Sequence, residues 1–126
     1  MEPKEPAGSD LLTLTITADE QHACHRGGLL LRALAKGLED IGTAKESAEC
    51  ATCAATLDLL VASAERVSLS PEQKIDVEQA AFLLEGIRNG LDNADLDEAG
   101  DAIERDIERL NDIVLRYNTV AGRTED

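Results

Sequence analysis

Two short stretches hold the residues whose types suit metal or redox chemistry: HACHR at 22–26 and ECATC at 49–53. His22 and His25 stand three apart, as do Cys50 and Cys53, with Cys24 between the histidines. Imidazole nitrogens and thiolates are the donors of a tetrahedral zinc site. A Cys-x-x-Cys pair also performs thiol–disulfide exchange when its first sulfur lies at a helix N-terminus, where the dipole lowers the thiol pKa.

Placing these residues on helices weighs against both chemistries. At about 100° per residue, Cys50, Cys53, Ala54, Leu57, Leu60, Val61, Ala64 and Val67 form one apolar stripe. Both thiols then face the core, and the pair starts about two turns into its helix, beyond the reach of the dipole. The preceding helix has its apolar stripe at Ala23, Gly27, Leu30, Leu31, Leu34, Leu38 and Ile41, with Cys24 at the edge. His22 and His25 share the opposite, polar side. One ion would need ligands converging from opposite sides of the core, unless the helix unwinds at Gly27-Gly28. The expectation is core cysteines and solvated histidines, with no metal and no cofactor. A metal-binding or thiol-redox module built on His22, His25, Cys50 and Cys53 is the alternative.

The elements that position these residues are marked by their caps. Thr17–Glu20, Thr43–Glu46 and Ser70–Gln73 each match a capping box, and Asp95–Glu98 is a looser variant. Pro71 occupies the favoured first helical position. Gly42, the VSLS segment at 67–70 and Asn89-Gly90 act as stops. These signals predict helices at about 18–41, 44–67, 71–89 and 96–119. Short connections between them predict an all-α, up-down antiparallel four-helix bundle. LLTLTIT at 11–17 alternates as a strand does. With no second strand expected in the chain, this extended segment would lie on the bundle or pair with another molecule. Residues 1–10 and 122–126 read as flexible tails around one helical domain at 11–121.

Composition narrows the function further. One Phe, one Tyr and no Trp among 126 residues leave the core to Leu, Ile, Val and Ala, which suits helices better than sheets. A net charge of −14 opposes direct binding to nucleic acid or to an anionic membrane. No apolar run approaches the roughly 18 residues of a membrane span. Three cysteines and no secretory signal pattern point to a reducing cytoplasm. Asp95, Asp97 and Gly100 echo a calcium loop, but Ala99 and Asp106 occupy positions where ligands are expected. No phosphate loop, Ser-His-Asp order or H-E-x-x-H occurs, so no enzyme is expected.

Interaction surfaces remain. Nine acids between Asp92 and Asp112 face only Arg105 and Arg109, giving this segment half of the net charge. Within it Asp97, Asp101, Glu104, Glu108 and Asp112 recur at helical spacing as one acidic stripe, with Arg105, Arg109 and Arg116 alongside. Asp101–Arg105 and Asp112–Arg116 are spaced to pair at a few tenths of a kcal/mol each. Ile75 and Phe82 lie a heptad apart on the back of the third helix, and Ala44, Ala48, Ala51, Ala55, Leu59 and Ala62 back the second. The expected function is non-catalytic binding of a macromolecular partner with a basic surface, as an inhibitor, immunity factor or adapter. A homodimer and a purely structural dimeric bundle are the further expectations.

Overall fold

A computed structural model describes residues 11–63 and 65–125. The tail expected at 1–10 and Ala64 on the expected stripe lie outside the described residues. The chain is mostly helical, with β1 (Leu12–Thr15), α1 (Ala18–Asp40), α2 (Ala44–Ala62), β2 (Arg66–Leu69), α3 (Pro71–Asn93) and α4 (Asp97–Glu125).

Two capping boxes form as their sequences require. The Thr17 hydroxyl accepts from the Glu20 amide at 3.1 Å, and the Glu20 carboxylate accepts from the Thr17 amide at 3.0 Å. Ser70 and Gln73 reciprocate in the same way at 3.1 and 2.8 Å. Thr43 does not cap α2: its hydroxyl donates to the Leu38 carbonyl at 2.8 Å. In the tight α1–α2 corner, with Gly42 at φ 87°, the Thr43 amide also donates to that Leu38 carbonyl, at 2.9 Å. Asp95 is no cap either. It adopts a φ of 64° in the α3–α4 turn, a conformation Asp tolerates better than most residues. α3 runs through Asn89-Gly90 to Asn93, and α4 passes its expected stop at 119.

The largest departure from expectation is a second strand. α2 ends at Ala62, and β2 pairs antiparallel with β1 in the register Leu12↔Leu69, Thr13↔Ser68, Leu14↔Val67 and Thr15↔Arg66. Val67 and Leu69 are buried while Ser68 is exposed, the period-two pattern of a half-buried strand. The Thr13 and Ser68 hydroxyls hydrogen-bond across the outer face at 2.9 Å. Val67 therefore joins the core from a strand, and LLTLTIT finds its partner within the chain.

Gly27 and Gly28 neither split nor unwind α1, which is continuous. Both are buried, and a Cβ on Gly27 would come within 3.3 Å of the Leu57 and Leu84 Cδ1 atoms. The pair serves close approach to α2 and α3. Around them, fully buried Leu31, Leu57, Leu60, Leu69, Leu84 and Leu110 fill the core. Each contributes on the order of 2 kcal/mol by leaving water, the role aromatic residues take in other domains.

Candidate functional site

α4 carries the acidic stripe as the spacing requires. Asp97, Asp101, Glu104, Glu108 and Asp112 are all exposed, while Ile103, Ile107, Leu110, Ile113 and Tyr117 are buried on the other side of the helix. Leu115, 65% exposed, lies on the stripe's side one turn past Asp112. Glu104 accepts from Arg88 of α3 at 3.4 Å, and Asp112 lies 4.0 Å from Arg109. Both pairs are weak and solvent-screened.

The arginines beside the stripe do not balance it. Arg116 hydrogen-bonds not to Asp112 but to Glu20 of α1 at 2.9 and 2.8 Å and to the Thr15 carbonyl at 3.0 Å, while the Asp112 charge still acts on it. Arg105 pairs with no carboxylate among the described residues, Asp101 included. A second clasp mirrors the first: Arg26 of α1 grips Asp106 of α4 at 2.7 to 3.2 Å. Glu20 and Asp106 are 3% and 4% exposed, so each helix buries one carboxylate under the other's guanidinium. Burial alone would raise the Glu20 pKa, but the Arg116 and Thr17 hydrogen bonds and the Arg116 charge outweigh it and hold the carboxyl below its usual range. Asp106 turned inward also leaves the calcium-type spacing at 95–106 without its last ligand.

The chemistry-bearing residues stay apart. Cys24, Cys50 and Cys53 are buried free thiols, and Cys24 lies fully in the core rather than at its edge. Burial, with Glu20 and Asp106 nearby, pushes Cys24 up to about 12. Burial, with Asp76, Cys50 and Glu49, pushes Cys53 up to about 11. Burial and Glu49 raise Cys50 as well. Thiols held protonated are poor nucleophiles and poor metal ligands. His22 and His25 are exposed on α1. Among the described residues, no group of three or more His, Cys, Asp or Glu is arranged to hold a metal ion.

Ile75 and Phe82 are 54% and 70% exposed, and the segment at 11–17 covers neither. They lean to different sides of α3. Ile75 lines a groove of about 480 Å³ against α2, with Lys45, Ala48 and Thr52, whereas Phe82 lies over a hollow against Ile107 and Asn111 of α4. Ala44, Ala48, Ala51, Ala55, Leu59 and Ala62 are exposed as well, so the small-residue face of α2 stands largely open among the described residues.

No family model, curated protein or solved structure matches this chain. Among the described residues no helix is long and apolar enough to cross a membrane.

Proposed function

We propose that this is a small, non-catalytic binding protein whose α4 stripe receives the basic surface of a macromolecular partner, as an inhibitor, immunity factor or adapter does. One observation carries the reading. Asp97, Asp101, Glu104, Glu108 and Asp112 stand exposed along one face of α4, over about 22 Å at 1.5 Å per residue. The arginines that could neutralise this face are engaged elsewhere or lie beside it. Leu115 at the end of the line offers an apolar anchor of the kind interfaces use. The four helices are read as an up-down ring, supported by their short connections and by packing of α1 on α2, α2 on α3, α3 on α4 and α4 on α1. A reducing, cytoplasmic setting suits three buried free thiols.

Affinity capture from the native lysate supplies the partner, and stopped-flow association tests the stripe. The on-rate falls steeply with salt, and Glu104→Lys with Glu108→Lys slows it further. An on-rate indifferent to both overturns the reading. A second reading, a homodimer, draws on exposed Ile75 and Phe82. Sedimentation of wild type against Ile75→Ser/Phe82→Ser decides it, since a monomer in both cases removes the dimer.

A further inference from the structure

Beside the stripe, α1 and α4 enclose a polar cleft of about 370 Å³ lined by Asp19, His22, Arg26, Ala102, Arg105, Asp106 and Arg109. In a chain this acidic, three arginines and a histidine in one hollow are unexpected. Their pairing is more so. Glu104 and Asp106 flank Arg105 in sequence and Asp101 lies four residues before it, yet Arg105 makes no ion pair among the described residues. Arg109 reaches Asp112 only at 4.0 Å. Arg26 commits Nε and Nη2 to Asp106, which leaves Nη1. Arg26 and Asp106 cancel, which leaves Arg105 and Arg109 against Asp19, whose charge also acts on Arg26.

We propose that this cleft binds a phosphoryl group carried by a small molecule. The donors come from two helices. Arg105 and Arg109 stand one turn apart on α4, and His22 and Arg26 one turn apart on α1. A planar carboxylate is satisfied by a single guanidinium fork, whereas a tetrahedral phosphate presents acceptor oxygens in several directions and suits forks approaching from more than one side. The volume exceeds that of one phosphate ion, and Asp19 supplies a hydrogen-bond acceptor for a hydroxyl on the rest of the molecule. Asp101, Glu104, Glu108 and Asp112 of the stripe stand within a turn of Arg105 or Arg109, and Asp112 lies 4.0 Å from Arg109. Their field weakens the site, and its affinity for phosphate is expected to rise when they are neutralised. The site does not depend on the partner-binding reading of α4.

The test is NMR titration with inorganic phosphate, with acetate at matched ionic strength as the control. The arginine Nε–Hε and histidine ring signals report the binding. Saturable shifts are expected at Arg105, Arg109, Arg26 and His22, with none at Arg32, which is paired with Asp58 outside the cleft. Arg105→Ala removes an exposed side chain without an ion pair and keeps the helical circular dichroism. It is expected to weaken phosphate binding by about tenfold, the loss of one charge-assisted contact. Arg32→Ala is expected to leave binding unchanged. Linear shifts spread over all arginines overturn the site. Equal response to acetate overturns the phosphoryl assignment, and unaltered phosphate binding in Arg105→Ala overturns the role of the cleft.

Discussion

Replacing Glu20 separates two things this residue does at once. Its carboxylate closes the α1 capping box with Thr17 and receives both Nη atoms of Arg116 while only 3% exposed. Glu20→Gln removes the charge but keeps an amide that can close the box, as Gln73 does at the start of α3. Glu20→Ala removes both. A hydrogen bond to a charged group contributes about 1.5–3 kcal/mol, and the Arg116 side chain is 31% exposed, which places the loss in Glu20→Gln at about 1–2 kcal/mol. Losing the cap adds about 1 kcal/mol in Glu20→Ala. At about 4 °C per kcal/mol for a chain of this size, the Gln variant melts about 4–8 °C below wild type. The pH dependence fixes the cause. The folded carboxyl sits below its ordinary 4.5, so the wild-type advantage is fully present above that value. It is lost as pH falls through the lower, folded pKa, because Gln has no proton to take up. Urea denaturation of both proteins from neutral pH downward reads the gap directly. A Gln variant as stable as wild type at pH 7, or a gap that does not close in acid, refutes the clasp.

Two further outcomes are expected. Gly86 and Gly90 lie inside α3 with nothing within 4 Å of a Cβ, so Gly86→Ala and Gly90→Ala each raise stability by about 0.5–1 kcal/mol. Gly100→Ala gains less, since its Cβ must displace the Asp92 carboxylate from its 3.3 Å pair with Arg88; thermal melts in which it gains as much as the other two refute the packing. The thiols should resist Ellman's reagent in the native state. At pH 8, a pKa of about 12 leaves roughly one Cys24 in ten thousand as thiolate, and prompt reaction of any cysteine before denaturation refutes the core placement.

What could be read from the chain, and what could not, divides by the range of the interaction. Thr17 and Ser70 cap as expected because a capping box is complete within four residues. The acidic stripe on α4 follows from helical spacing alone, and its residues are exposed as that spacing demands. Thr43 is a local exception: its competitor, the Leu38 carbonyl, lies only five residues back, and the turn at Gly42 decides which of two nearby partners the hydroxyl meets. β2 is hidden by range. RVSL is four residues long, and its Ser-Pro flank at 70–71 reads equally well as a helix stop, so its strand character depends on β1, more than fifty residues earlier. Arg116 illustrates the same limit in electrostatics. The i, i+4 rule assigns it to Asp112 on its own helix, whereas its partner is Glu20, 96 residues away.

That exchange of partners shapes the surface as well as the interior. Had Arg116 paired with Asp112 instead, the stripe would be better compensated, with Glu20 left as an uncompensated buried charge at a cost of several kcal/mol. The fold avoids that cost by drawing Arg116 to Glu20, as it draws Arg26 to Asp106. Committing Arg116 to Glu20 leaves the exposed acids of α4 with only the weak Arg88–Glu104 and Arg109–Asp112 pairs among the described residues. Arg105, paired with no carboxylate among the described residues, and Arg109, which reaches Asp112 only at 4.0 Å, line the cleft that α1 completes. The negative face thus owes part of its surplus to the clasp that holds Arg116 on Glu20. Breaking that clasp should therefore alter the face. In Glu20→Gln, Arg116 is released toward Asp112, which weakens the salt dependence of partner association even where the protein stays fully folded.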